Sequence, residues 1–294
     1  MKIVLVHGWA SDSSVLSHLK DHLLETIGCT IVSHDLPGFG SRAHERFACD
    51  KAVSELTVLF LSEPAIVIGW SLGGLLALKA HAAARVTQAN LHARVLALCS
   101  PIQFVADTAW PHSMPEEAFE KFVQSYHTNP ALCVKRFIAL ESTKTGSSLS
   151  TDDSQSVGSF ETNASSKDVQ ESLRYFKPLN PLVDDKTARK IVSEAVIKSK
   201  NLRFSTAAGR DSLLALNLIK LSANELSSSC FLMYAERDSV VDLKNAIKLS
   251  AAFIANESPA QVIVLKDASH LLPITHADTV SRYVENVVAL GFDA

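Results

Sequence analysis

Residues 65–78 read AIVIGWSLGGLLAL, an apolar run that passes through a serine flanked by glycines into a second apolar run. The stretch contains G-x-S-x-G at 69–73, the nucleophile elbow that joins a strand to a helix. Glycine weakens both helices and strands, so its use around Ser71 indicates a requirement other than stability. We predict a strand, a tight turn at Ser71 and a helix over Leu72–Ala84. The alternative is a Gly-rich turn with an incidental serine.

Short apolar runs rich in β-branched residues recur along the chain and are separated by helix-like stretches. Several runs are apolar almost throughout, which is typical of strands buried on both faces of a parallel sheet. This alternation predicts an α/β fold with a mostly parallel central sheet of about six strands. The predicted strands cover residues 2–6, 30–36, 65–69, 94–100, 230–235 and 261–266.

The alternation stops near residue 101 and resumes near residue 230. We therefore assign 1–101 and 226–294 to one α/β core, and 102–225 to an inserted helical cap. Within the cap, the section near 142–168 is rich in Ser, Thr and Asp and lacks the apolar side chains needed for packing. We expect that section to form a flexible loop.

Composition excludes several classes of protein. A chain of 294 residues with 47% hydrophobic content can bury a full core, and a net charge of −3 argues against nucleic-acid binding. Five scattered cysteines without C-x-x-C spacing argue against a disulfide framework and against a zinc site. No signal peptide is recognisable, and no apolar run is long enough for a membrane span. We expect a cytoplasmic protein.

A serine nucleophile needs a base, and the base needs an acid that orients it. In hydrolases with this elbow the partners follow in the chain order Ser, Asp or Glu, His. Asp238 follows the predicted fifth strand and His270 follows the sixth, so both belong at the sheet edge where α/β folds hold their sites. We assign Ser71, Asp238 and His270 as a catalytic triad. Two further acids compete for the orienting role: Asp242 and Asp267.

An acyl-transfer site also needs donors for the oxyanion. The first predicted strand ends in LVHGWA (5–10), so the backbone amide of Trp9 is one candidate donor. The amide of Leu72, which follows the nucleophile, is the second. This chemistry requires neither a cofactor nor a metal ion.

These motifs together resemble the α/β-hydrolase family: HGW, DLPGFG, GWSLGG, the strand-end Asp238 and SHLLPITH. A narrower resemblance extends into the cap. VLVHGWASDSSVL, DLPGFGSR, IGWSLGGLLAL, CSPIQFVADTAWP and VKRFIALES are similar to the pimeloyl-[acyl-carrier-protein] methyl ester esterases of biotin synthesis. Most such hydrolases begin with a pair of antiparallel strands, whereas this sequence starts at KIVLVHGW, so we expect a sheet without that pair.

The resemblance implies a reaction: the methyl ester of a pimeloyl chain carried on acyl carrier protein loses methanol. By position, it also implies a substrate-binding set consisting of Trp9, Phe137, Ile138, Ala139, Leu140 and Glu141. In the resembled family, arginines of the cap dock the acidic carrier protein, and Arg136 matches one such position.

Other family docking positions differ here, and a basic helix offers a replacement. Residues 174–203 carry eight basic and three acidic side chains, a net of +5. Lys186, Arg189 and Lys190 share one face at helical spacing. This face is either a docking surface for the carrier protein or an ordinary solvated helix face.

Three other functions remain open from sequence. The first is a broad carboxylesterase for small free esters. The second is an enzyme with a different leaving group, such as a thioesterase or a carbon–carbon bond hydrolase. The third belongs to another class, a hydrolase-fold protein that binds a ligand or partner without turnover.

Overall fold

The computed structural model describes residues 1–143, 173–176, 181–198, 201–257 and 260–290. Nearly all of the section predicted as a flexible polar loop, near 142–168, lies outside these residues.

A parallel sheet forms the centre of the molecule. Within the described ranges it has seven strands in the order β2-β1-β3-β4-β8-β9-β5, and every neighbouring pair is parallel. The strands are β1 Lys2–Val6, β2 Thr30–His34, β3 Ala65–Trp70, β4 Ala93–Leu98, β5 Arg174–Phe176, β8 Cys230–Ala235 and β9 Gln261–Leu265. A separate antiparallel pair consists of β6 Ile197–Lys198 and β7 Asn201–Leu202.

The α/β prediction is confirmed, but the strand count was one too low. The additional strand, Arg174–Phe176, lies inside the range predicted as cap and pairs with Ile263–Leu265 at the edge of the sheet. It is only three residues long, and its first two side chains are exposed. A strand of this kind has no apolar run and no alternation from which periodicity could identify it.

Burial explains why the central strands read as continuous apolar runs. Every residue of β3, β4 and β8 is buried, because helices cover both faces of a parallel sheet. The edge strand β2 instead alternates between exposed and buried positions at its start.

Helices flank the sheet and extend over its carboxyl edge. Helix α1 packs against α10, and α2 packs against α3. Helix α4 contacts both α5 and α7. Their bounds are α1 Ser17–Thr26, α2 Cys49–Ser62, α3 Leu72–Thr87, α4 Glu116–Thr128, α5 Pro130–Glu141, α6 Asp185–Val196, α7 Thr206–Leu218, α8 Lys244–Ala255, α9 Leu272–Thr275 and α10 Ala277–Ala289.

Strand β3 and helix α3 approach each other so closely that side chains are excluded between them. A Cβ atom at Gly69 would lie 2.5 Å from backbone atoms of Gly73 and Gly74. A Cβ at Gly73 would lie 2.5 Å from the carbonyl oxygens of Val6 and His7. The glycines of the motif are therefore required by the contact between the strand and the helix.

We expect Gly69→Ala to lower the free energy of unfolding by about 1–3 kcal/mol, because its methyl group would displace rigid backbone atoms. Gly28→Ala is the matched control, since nothing lies within 4 Å of its added Cβ. Its stability should change by less than about 1 kcal/mol. Urea unfolding of both variants measures the difference. Equal stabilities would contradict the steric argument.

Candidate active site

Ser71 lies between β3 and α3 in a conformation that non-glycine residues rarely adopt, with φ 53° and ψ −119°. The side chain is 5% exposed. A backbone held in this region carries strain, and such strain concentrates at functional sites. The structure thus forms the sharp turn that the elbow motif predicts.

Hydrogen bonds hold the strained turn. The Ser71 amide donates to Leu98 O at 2.9 Å, and the Ser71 carbonyl accepts from the Gly74 and Leu75 amides at 3.1 Å each. Ser100 Oγ also donates to the Ser71 carbonyl, at 2.8 Å. Sequence reasoning missed Ser100. Its position two residues after the end of β4, a strand that neighbours β3, is the signal that could have identified it.

Asp238 and His270 meet in the interior at the carboxyl edge of the sheet. His270 Nδ1 lies 2.7 Å from Asp238 Oδ2, and the two side chains are 0% and 1% exposed. Asp238 Oδ1 accepts from the amides of Val240 and Val241 at 2.7 and 2.9 Å. Both carboxylate oxygens are therefore engaged, which fixes the acid as an acceptor for the imidazole N–H.

The two competing acids are engaged elsewhere. Asp242 Oδ1 accepts from the Lys244 amide at 2.9 Å, at the start of α8, and the residue is exposed. Asp267 pairs with Arg237 at 2.6 Å and is 66% exposed. Of the three candidate acids, only Asp238 lies within hydrogen-bonding distance of His270 among the described residues.

The remaining nitrogen of His270 is available for proton transfer. Its Nε2 is buried and has no hydrogen-bond partner among the described residues. The His270 backbone carbonyl accepts from Trp70 Nε1 at 2.9 Å, so the histidine is anchored to the residue that precedes Ser71. Because Nδ1 of His270 is bonded to Asp238, Nε2 is the nitrogen that can accept a proton from a nucleophile.

Electrostatics favour the protonated imidazole. Burial alone lowers the pKa of His270, but the charge of Asp238 and the hydrogen bond to it outweigh burial and raise the pKa above its ordinary value. The carboxylate is therefore well placed to stabilise the imidazolium that forms after proton abstraction.

The predicted oxyanion donors lie on both sides of the serine. A Cβ at Gly8 would lie 3.2 Å from Ser71 Cβ, so the segment carrying the Trp9 amide passes directly over the nucleophile. Leu72 is the first residue of α3, and the first amides of a helix have no intrahelical acceptor. The helix N-terminus also favours negative charge at this point.

His7 braces the loop that supplies Trp9. Its Nε2 accepts from the Leu36 amide at 3.0 Å, so its Nδ1 carries the proton and donates to Gly8 O at 2.9 Å. Burial lowers the pKa of His7, consistent with this neutral tautomer. The residue supports the loop geometry and does not face the serine's base.

An aromatic cluster joins the predicted oxyanion loop to the cap. The Trp9 ring contacts three rings edge-on, with centroid distances of 5.0–5.8 Å, and its Nε1 donates to Gly209 O at 2.9 Å. The ring partners are Phe122 and Tyr126 of α4 and Phe137 of α5. Trp9 thus contacts three helices of the range predicted as the cap.

The predicted substrate-binding residues of α5 divide by helix face. Phe137, Ile138 and Glu141 are buried, whereas Ala139 is half-buried and Leu140 is 40% exposed. Five consecutive helical residues cannot share one face, so Leu140 points to solvent. Leu140 is the most exposed of the five residues, and its assignment as a substrate-binding residue stays a prediction.

Cys99 completes a group of potential metal ligands with Asp238 and His270, their ligand atoms all lying within 4.8 Å of one another. Burial, followed by the charge of Asp238, raises the pKa of the Cys99 thiol well above its usual range. A protonated thiol is a poor metal ligand, and Asp238 and His270 are already bonded to each other. This donor set fits a hydrogen-bonded triad better than a metal centre.

A cavity of about 380 Å³ opens beside the acid of the pair. Its lining comes from two segments, one at 101–118 and the other at 238–245, and it includes Asp238 and His112. The loop that carries Asp238 lines this cavity, and Ser71 does not.

The predicted docking residues are all exposed. Arg136 lies on α5, and Lys186, Arg189 and Lys190 lie on α6. The opposite face of α6 is buried through Ala188, Val192, Ala195 and Val196. Lys190 forms an exposed i,i+4 pair with Glu194 at 3.8 Å. Helices α5 and α6 contact each other, so the four cations belong to neighbouring elements.

A doubly wound parallel sheet with a strained serine at a strand–helix turn and a buried Asp–His pair defines an α/β-hydrolase architecture. The sequence model of the Alpha/beta hydrolase family matches residues 3–282, and this chain belongs to that family. Within the described ranges, no helix combines the length and apolar character needed to cross a membrane.

Curated relatives match about half of the chain. A pimeloyl-[acyl-carrier protein] methyl ester esterase of Chromobacterium violaceum is 36% identical over 140 residues, covering 47% of this chain and 52% of that protein. A bifunctional biotin biosynthesis protein of Teredinibacter turnerae is 34% identical over 156 residues, covering 48% of this chain and 26% of that protein. The matched region thus spans about half of one relative and a quarter of the other.

Solved structures share the whole fold at low identity. A bromoperoxidase from Bacillus anthracis superimposes with a TM-score of 0.67 at 16% identity, covering 98% of this chain and 91% of its own. An esterase from Exiguobacterium antarcticum gives 0.64 at 13% identity, covering 99% and 91%. At these identities the likeness establishes the fold alone.

Labelling of Ser71 by a fluorophosphonate should depend on the Asp238–His270 pair. We expect the labelling rate to rise with pH, with a midpoint above the ordinary pKa of histidine, because His270 must lose its proton and its pKa is raised. Asp238→Asn should slow labelling by about 10⁴-fold through loss of the correct tautomer. Asp242→Asn is the matched control and should label at the wild-type rate. Similar slowing in both variants would contradict the assignment of Asp238.

Proposed function

We propose that this protein is a serine carboxylesterase that uses Ser71, His270 and Asp238. The observation that carries the proposal is the 2.7 Å contact between His270 Nδ1 and Asp238 Oδ2, with Nε2 unpartnered and the imidazole anchored beside the strained Ser71 turn. Burial of the pair and the absence of a competing partner for Nε2 among the described residues support a base ready for use.

In the first half of the proposed reaction, Ser71 Oγ attacks the ester carbonyl while His270 Nε2 takes the hydroxyl proton. The carbonyl oxygen becomes an oxyanion that accepts hydrogen bonds from the amides of Trp9 and Leu72. One such donor contributes about 2.7–4 kcal/mol of transition-state stabilisation in serine hydrolases. His270 then protonates the departing alkoxide, and the acyl group remains on Ser71.

In the second half, water replaces the alcohol. His270 takes a proton from the water as it attacks the acyl carbonyl, and the tetrahedral intermediate again uses the same two amides. Collapse returns the proton to Ser71 Oγ and releases the carboxylic acid. Asp238 stabilises the imidazolium in both halves without accepting its proton.

For the substrate, we propose the methyl ester of a pimeloyl chain carried on acyl carrier protein. Two observations support this choice over a small free ester. The named function of the C. violaceum relative is one. The other is the packing of α5, which carries Phe137 against Trp9 and so extends an apolar wall from the nucleophile into the cap.

For the partner, we propose that the acidic carrier protein docks on Arg136, Lys186, Arg189 and Lys190. All four side chains are exposed on two helices that contact each other, and α6 buries its opposite face. A cationic surface of this kind accelerates encounter with an acidic partner and gives salt-dependent binding.

We expect Ser71→Ala to lose at least about 10⁴-fold in kcat for ester hydrolysis while keeping its thermal unfolding transition, because the nucleophile is removed and a methyl group fits the site. Methanol release from the carrier-linked methyl ester measures the loss. Ser11→Ala provides a control at another buried serine. Turnover by Ser71→Ala within tenfold of wild type would overturn the assignment.

We expect the double substitution Arg189→Glu with Lys190→Glu to raise KM at least tenfold for the carrier-linked ester and to leave KM for p-nitrophenyl butyrate unchanged. The matched control reverses Lys20 and Arg282, on α1 and α10, and so changes net charge equally.

Equal effects of both double variants would contradict docking on α6. Equal kcat/KM of the wild type for carrier-linked and free esters would instead indicate a broad carboxylesterase.

A further inference from the structure

Glu141 is a buried acid beside the catalytic pair that the reaction above does not use. It is the last residue of α5 and is 2% exposed. Its Oε2 is buried and has no hydrogen-bond partner among the described residues. Buried polar atoms are nearly always paired, so an unpaired carboxyl oxygen next to a candidate active site calls for a ligand.

Two titratable groups from the core act on this carboxyl, His270 after β9 and Asp238 after β8. The charge of Glu141 in turn raises the pKa of the Cys99 thiol after β4. The basic residues of its own helix, Lys135 and Arg136, are exposed to solvent, and no cation contributes to its titration besides His270. Glu141 therefore faces the triad without a paired cation among the described residues.

The carboxyl holds its proton at neutral pH. Burial raises the pKa of Glu141 to about 8, with the opposing effect of His270 and the reinforcing effect of Asp238 included. Its place at the carboxyl end of α5 disfavours a negative charge further. A protonated carboxyl is a hydrogen-bond donor as well as an acceptor.

The position of Glu141 is fixed from both ends. Beyond it, Thr143 O accepts from Ser239 Oγ at 2.6 Å, which joins the end of α5 to the loop of Asp238. One turn before it, Phe137 packs on the Trp9 ring with centroids 5.0 Å apart. Asp238 is not the acceptor for Glu141 in this structure, because Glu141 Oε2 has no hydrogen-bond partner among the described residues.

We propose that Glu141 binds the substrate as an uncharged acid, donating a hydrogen bond from its carboxyl group to a carbonyl or ester oxygen of the acyl ligand. This inference rests on the proposed esterase function and deepens it: the resemblance places Glu141 among the substrate-binding residues, and the new content is that Glu141 acts there as an uncharged hydrogen-bond donor. Ionisation would remove the donor and put a second negative charge next to Asp238 and the developing oxyanion. Binding and turnover of neutral esters therefore require Glu141 to be protonated.

The pH profile separates this role from a structural one. For p-nitrophenyl butyrate, kcat/KM of the wild type should rise as His270 loses its proton and fall again above pH of about 8 as Glu141 ionises. The two groups are coupled, so the two midpoints belong to the pair. Glu141→Gln keeps a neutral donor and cannot ionise. Its alkaline decline should therefore vanish, and only the acid limb of His270 should remain.

Glu141→Leu removes the donor at similar volume. We expect its KM at pH 7 to rise at least tenfold, whereas Glu141→Gln should stay within about threefold of wild type. Glu120→Gln, at an exposed acid of α4, is the matched control and should reproduce the wild-type profile. Persistence of the alkaline decline in Glu141→Gln, or an unchanged KM in Glu141→Leu, would overturn the proposal.

A binding measurement keeps the test independent of turnover. Heptan-2-one, a carbonyl ligand without an ester bond, is titrated against wild type and Glu141→Gln by tryptophan fluorescence. The Kd of the wild type should increase about tenfold from pH 7 to pH 9.5, and that of Glu141→Gln should not change. If this difference appears without ester hydrolysis, the proposed function fails and the donor role stands. If ester hydrolysis proceeds but each protein binds heptan-2-one with the same Kd at both pH values, the donor role of Glu141 fails and the proposed function stands.

Discussion

The hydrogen bond between Asp238 and His270 is the interaction on which the site depends. Two groups that would each be costly to bury alone are buried together, with the remaining oxygen of the acid satisfied by two backbone amides. This arrangement selects one imidazole tautomer and leaves Nε2 as its single free acceptor. It also sets the electrostatics nearby, because the charge of Asp238 raises the pKa of His270, Cys99 and Glu141 alike.

The parallel sheet makes that bond possible. Parallel strands end at one edge, so the residues that follow β3, β8 and β9 meet although they are far apart in sequence. This is why chain order and strand ends were enough to nominate Ser71, Asp238 and His270. The elbow could also be predicted from sequence, because the close approach of strand and helix leaves room only for glycine at positions 69 and 73.

Other features depend on tertiary contacts that no local pattern records. Strand β5 is three residues long, and only its pairing with β9 makes it recognisable as a strand. No sequence pattern marks Ser100, whose role follows only from its hydrogen bond to the carbonyl of Ser71. On α5, the resemblance implied one continuous range of substrate-binding residues and did not distinguish Leu140 from Glu141. The helical period separates them, because Leu140 is exposed whereas Glu141 is buried.

The cap is bonded to the same loops that carry the catalytic groups. Ser269, directly before His270, donates to Asp185 at 2.8 Å, and Ser239, directly after Asp238, donates to Thr143 O. Trp9, predicted to supply an oxyanion amide, bonds through its ring nitrogen to Gly209 of α7. Each of these three segments therefore has its own hydrogen bond to a helix of the range predicted as the cap or to the residues just after one. A displacement of those helices would change the positions of His270, Asp238 and Trp9 together. Glu141, at the end of α5 and under the influence of both His270 and Asp238, lies at the junction between these helices and the proposed catalytic residues.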